Sequence, residues 1–234
     1  VAYRFHVTLE DGSEDTLPGD IFYYEDNRFA WKTLDEPPFR IHWYAGDIEL
    51  AQEVLSVARS GLQRIQDLAA TPDPETVDFY IYSSSEEMQG SLQLFNRSWI
   101  AGHADPDLGV TVITLPDRPD RRLIMEQRVP HELMHVLLYQ LLGPGSYNLP
   151  TWLSEGLASA AELYPNPDYQ ILLNRAYDEQ RLLPIASLCQ NFPRDASGAL
   201  LAYAEAASFT RFLQRQFGAS SLQELSLIHI SEPT

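Results

Sequence analysis

One stretch of the chain reads Val129-Pro130-His131-Glu132-Leu133-Met134-His135. Two histidines four positions apart fall on one face of a helix, so both imidazoles can reach a single metal ion. Glu132, between them, then sits beside a water held by that ion. Leu137, Leu138, Leu141 and Leu142 make the rest of this helix apolar, where two imidazoles and a carboxylate are costly to bury unless a metal compensates them. A third candidate ligand lies downstream in Leu149-Pro150-Thr151-Trp152-Leu153-Ser154-Glu155-Gly156-Leu157-Ala158, where the Glu155 carboxylate stands in a mostly apolar turn and needs a partner. A catalytic zinc site takes three protein ligands and leaves a fourth position for water. His131, His135 and Glu155 supply such a set, and Zn2+ is the expected cofactor. Taken singly, each has a plainer reading: a polar stripe on an amphipathic helix, or an exposed helix carboxylate.

These side chains converge only if the surrounding elements hold them. The histidine-bearing helix should run from Asp120 to Gly143. Pro130 would kink it or start a new one, and the apolar rhythm of Leu123, Ile124 and Val129 before it favours a kinked, longer helix. Further helices are expected at Thr151–Leu163, Tyr169–Leu182 and Leu200–Phe217, the last ending at Gly218. Upstream, strands at Phe39–Tyr44, Thr76–Tyr82 and Gly109–Leu115 alternate with a helix capped by Asp47 and reaching about Ala70, and with another from Ser85 to Phe95. The long helix carries Ile48, Ala51, Val54, Leu55, Ala58, Leu62, Ile65 and Leu68 at helical spacing, an ordinary core stripe. The pattern predicts an α+β fold in which a small mixed sheet precedes a helical, metal-binding half. Residues 1–37 read as strands, Tyr3–Leu9, Asp20–Tyr24 and Arg28–Thr33, with turns at Asp11-Gly12 and Asp26-Asn27. Fewer than 40 residues hold no core of their own, so this segment reads as part of a preceding β domain, with Pro37-Pro38 as the boundary to a domain at 38–225.

The 234 residues include 33 acidic and 16 basic side chains, a formal charge of −17 that repels phosphate backbones and anionic lipid surfaces. Nucleic acid is therefore not an expected partner. Cys189, the single cysteine, excludes an internal disulfide and any cysteine-based zinc cluster, and by default reads as a small buried apolar residue. No apolar run approaches the roughly 18 to 20 residues that span a bilayer. The chain opens on Val1 and so reads as a fragment or mature form. Its end, Leu225–Thr234 (LSLIHISEPT), back-translates onto transposase-end and adapter DNA, so residues 226–234 are expected to be a non-native tail and His229 is set aside as a ligand.

The HELMH pattern, followed 20 positions later by the glutamate of WLSEGLA, resembles the gluzincin zinc metallopeptidases, specifically the peptidase MA-like domains, over about Phe39 to Leu225. The resemblance implies a thermolysin-like arrangement: a small sheet whose edge strand lines the cleft, two zinc-binding helices, then further helices. It implies zinc on His131, His135 and Glu155, Glu132 as general base, and a peptide or protein substrate lying extended along the edge strand, taken here as Gly109–Leu115. Tyr203, in Ala202-Tyr203-Ala204-Glu205, aligns with a tyrosine often seen in these domains; its phenol could bond a developing oxyanion, and a core tyrosine explains it equally well. His103, in Ala101-Gly102-His103-Ala104, is a second candidate donor against its reading as a solvent-facing loop histidine. Some gluzincins place an acidic residue four positions after the ligand glutamate to orient a zinc histidine; here Ser159 stands there and Glu162 is an imperfect substitute. An exported or membrane-tethered setting is a further implication. Two other readings stay open: a module that keeps its metal and binds polypeptide without cleaving it, and a structural domain in which the three residues are merely buried polar groups. The sequence leaves the oligomeric state open.

Overall fold

The computed structural model describes residues 2–9, 11–21, 26–69, 71–92, 102–189, 191–219, 221–222 and 224–225. The chain divides into two compact units, Val1–Ala30 and Trp31–Thr234. In the first, β1 (Ala2–Thr8) and β2 (Glu14–Ile21) form an antiparallel hairpin. Its turn needs Gly12, whose φ of 82° only glycine adopts at no steric cost. The strand expected at Asp20–Tyr24 runs into residues 22–25, outside the described residues.

The second unit begins with a mixed sheet in the order β3-β4-β5-β7-β6. Its strands are β3 (Lys32–Glu36), β4 (Phe39–Trp43), β5 (Val77–Tyr82), β6 (Gly102–Asp105) and β7 (Val110–Thr114). The three central strands β4, β5 and β7 are parallel, and β3 and β6 pair antiparallel at the two sides. Phe39, Ile41 and Trp43 alternate inward along β4, while β5 is buried on both faces, the pattern of a covered parallel strand. Helix α1 (Ile48–Ala69) crosses from β4 to β5 and buries Ala51, Val54, Leu55, Ala58, Ile65 and Leu68, although Ile48, counted in the expected stripe, stays exposed. Helix α2 (Ser85–Leu92) follows β5. The α+β class and the mixed sheet agree with the sequence reading.

Two expectations are corrected here. Pro37-Pro38 does not separate domains: it forms the turn of the hairpin between β3 and β4, so the compact unit starts at Trp31, and the expected strand Arg28–Thr33 gives way to a turn before pairing begins at Lys32. Nor is Gly109–Leu115 the edge. The strand it contains, β7, is flanked by β5 and β6, and the four-residue β6 is the outer strand on that side among the described residues.

The helical half comprises α3 (Arg121–Leu142), a 3-10 turn (Gly143–Asn148), α4 (Thr151–Ala161), α5 (Asp168–Asp178), α6 (Ile185–Leu188) and α7 (Ala196–Phe217). Among the described residues no helix is long and apolar enough to cross a membrane. α3 runs as one helix through Pro130, in keeping with the expected longer helix. The proline ring packs on α1 at Gly61, where an added Cβ would stand 3.0 Å from the ring. α4 has no glycine or asparagine to close it; instead Arg211 and Arg64 donate to the carbonyls of Ser159 and Ala160, each at 3.3 Å. α7 begins earlier than its apolar rhythm suggests because Asp195 caps it, accepting from the Gly198 N–H at 2.8 Å. α4 and α7 approach closely where Gly156 faces Thr210 and the Ala206 carbonyl; a Cβ there would overlap the Thr210 hydroxyl and lie 2.7 Å from the carbonyl oxygen. Cys189, expected to be buried, is exposed, because the four-residue α6 that precedes it lies at the surface. The suspected tail, residues 226–234, lies outside the described residues.

Candidate metal centre

His131 and His135 stand one turn apart on α3, and Glu155 rises from the first turns of α4. Glu155 Oε2 lies 3.3 Å from His131 Nε2 and 3.7 Å from His135 Nε2. One ligand atom from each residue falls within 4.8 Å of the others, and among the described residues no other group of three does so. A tetrahedral ion with bonds of about 2.0–2.1 Å separates its ligand atoms by about 3.3–3.4 Å, a spacing that the distances from Glu155 Oε2 to the two Nε2 atoms, 3.3 and 3.7 Å, approach.

The electrostatics agree with that fit. Glu155 Oε2 is buried and accepts no properly angled hydrogen bond, a costly state for an acceptor unless a cation faces it. Burial works against the Glu155 charge, but His135 and His131 outweigh it and hold the carboxyl far below its ordinary range. Burial likewise opposes a charged His131, yet Glu155, Glu162 and Glu132 together raise it well above the usual imidazole range.

Both imidazoles are braced from behind. Glu162 Oε1 lies 3.3 Å from His131 Nδ1, and Ser154 Oγ lies 3.4 Å from His135 Nδ1, leaving both Nε2 atoms toward Glu155. Glu162, the imperfect substitute of the sequence reading, is thus the residue that stands behind His131. The sequence held only a partial signal, the i, i+7 spacing of Glu155 and Glu162, because α4 itself ends at Ala161. Ser154 carried no comparable sequence signal.

Glu132 is 8% exposed and faces β6, where Gly102 packs so tightly that an added Cβ would overlap its carboxylate oxygen. Arg128, one turn earlier, donates to the Thr114 carbonyl at 2.5 Å and ties α3 to the end of β7. Tyr203, on α7, is brought to the same place: its ring centroid lies 6.3 Å from that of His131, and Phe192 braces it edge-on at 5.1 Å. Burial first, then the charges of Glu155 and Glu132, push its phenol up, so at neutral pH it stays a donor. His103 belongs to β6 rather than to a loop; it is exposed, on the cleft wall, outside the metal-ligand set. The cleft has a volume of about 670 Å³ and runs between β6 on one side and α3, α4 and α7 on the other.

A mixed sheet with an antiparallel edge strand walling a cleft, and two helices converging two histidines and a glutamate on one point beneath it, defines a metallopeptidase-like domain. The family model of the Peptidase MA superfamily matches residues 57–231, and the chain belongs to that superfamily. No curated protein matches the chain as a relative.

Proposed function

We propose that this domain is a zinc-dependent peptidase of the gluzincin type, with a thermolysin-like arrangement of sheet and helices. The observation that carries the reading is the convergence of His131 Nε2, His135 Nε2 and the otherwise unpartnered Glu155 Oε2 at ligand spacing. Zinc held there would act as a Lewis acid on a scissile carbonyl and make a water ionisable near neutral pH. Glu132 has the position for a general base: it is buried one residue from His131 with its carboxylate in the cleft, where it would accept a proton from the attacking water and could return it to the leaving amine. Tyr203 keeps its proton and offers its O–H to the oxyanion that develops on the carbonyl. Glu162 and Ser154 fix the orientation of the two imidazoles. An extended peptide would add its backbone to β6, the edge strand that walls the cleft.

The test is elemental analysis paired with casein turnover, on the wild type and on Glu132→Gln. The expected result is about one zinc per chain in both proteins, with turnover in the wild type alone. Zinc in both with turnover in neither would replace the peptidase by a polypeptide-binding module, and absence of zinc from the wild type would overturn the metal centre.

A further inference from the structure

Within α3 every backbone N–H from the second turn on can donate to the carbonyl four residues back, except at Pro130. The carbonyl so deprived belongs to Glu126, and it is not left to solvent: the Leu163 N–H donates to it at 2.9 Å. Leu163 follows Glu162, the residue at which the chain leaves α4 with φ −52° and ψ 129°. Glu162 is 6% exposed and sets its carboxylate against Nδ1 of His131, the residue next to Pro130. A closed circuit results, from Pro130 through one helical turn to Glu126, across to Leu163 and Glu162, and back to His131.

We infer that Pro130 is a positioning residue for the metal centre: by leaving the Glu126 carbonyl without its helical donor, it anchors Leu163 and thereby holds Glu162 on the back of His131. The role rests on the reading of His131 as a metal ligand. A proline inside a helix is costly, and here the freed acceptor is used at the chain segment that stands behind His131. An alanine N–H at 130 would draw the Glu126 carbonyl back into the helical ladder in competition with Leu163. Packing of the proline ring against Gly61 is the rival explanation for its presence, and the two separate cleanly. Pro130→Ala removes the ring and supplies the competing donor. Leu163→Pro keeps the ring and removes the other donor, at a site preceded by backbone angles that a residue before proline favours.

The experiment measures zinc affinity, by competition with a chromogenic chelator, for the wild type, Pro130→Ala, Leu163→Pro, Glu162→Gln and the Pro130→Ala/Glu162→Gln double variant. Amide hydrogen exchange at residue 163 is followed in the metal-free wild type and Pro130→Ala. Loss of an orienting partner weakens metal binding about 10- to 100-fold. Each single variant should fall in that range, the double variant should bind no more weakly than Glu162→Gln, and the Leu163 amide should lose protection in Pro130→Ala. Unchanged zinc affinity in Pro130→Ala, retained protection at Leu163, or losses that multiply in the double variant would each overturn this role and leave the metal centre standing. A wild type that takes up no zinc would instead overturn the metal centre, and this role with it, before any variant is made.

Discussion

Gly102→Ala should switch off turnover while leaving the fold and the metal in place. The added methyl would overlap Glu132 Oε1 and come within 3.0 Å of Cδ and 3.1 Å of Cγ. Carbon atoms in ordinary contact stand about 3.5–4.0 Å apart, so the carboxylate must retreat by about 0.5–1 Å. A reacting group misplaced by about 1 Å costs on the order of 100-fold in rate, equivalent to about 2.7 kcal/mol of barrier. Stability should barely respond: what yields is the free end of a side chain, and replacing a strand glycine by alanine returns about 0.5–1 kcal/mol of backbone entropy. The assay is kcat/KM on casein with zinc content and Tm measured on the same preparation. Wild-type turnover by a zinc-loaded Gly102→Ala would refute both the placement of Glu132 against β6 and its role as base.

Gly156→Ala should fail in the opposite way. Alanine gains about 1 kcal/mol of helix propensity over glycine, but the new methyl meets the Ala206 carbonyl oxygen at 2.7 Å, and backbone cannot rotate aside. Overpacking of about 1–3 kcal/mol or more should win, lowering Tm by a few degrees in thermal unfolding, with only partial recovery when Thr210→Ala is added. A Tm at or above the wild-type value would show that α4 and α7 are not in such close contact. Asp105 gives a pH-dependent case: its carboxyl is pushed up to about 6, first by a proton shared with Asp107 and then by burial. An acid whose folded value exceeds its unfolded one withdraws stability as pH rises between the two. Asp105→Asn should therefore be more stable than wild type above about pH 6 and lose that advantage below about pH 4, as read by chemical denaturation at both pH values.

The convergence of the three candidate ligands was legible because it is local. His131, His135 and Glu155 lie on two successive helices, where a 3.6-residue period fixes which side chains share a face. Order within the sheet is not local. β6 is four residues long and reads Gly-His-Ala-Asp, so neither its length nor its alternation marks a strand, and the stronger β-branched run of β7 drew the edge assignment to itself. A proline pair marks a hairpin turn as readily as a linker, hence the misplaced boundary at Pro37-Pro38. Glu162 was undervalued because its reach depends on the backbone leaving the helix there and on a hydrogen bond from Leu163 to a carbonyl 37 residues earlier in sequence. No spacing rule contains that contact.

A Trp152–Phe209 ring pair joins α4 and α7, but where the two helices approach most closely, at Gly156, Ala206 and Thr210, the side chains have little or no rotameric freedom. Such residues lose almost nothing on being ordered, and for the same reason none of them can adapt to a changed neighbour. The seat that fixes Glu155 relative to Tyr203 is therefore closed to variation, since any enlargement displaces one helix. The cleft rim is different: His103 and Tyr147 face it from exposed positions, and Tyr147 is 62% accessible. Divergence among descendants of this chain should therefore concentrate at the rim, so that new substrates are acquired by surface replacement around a seat that selection holds still.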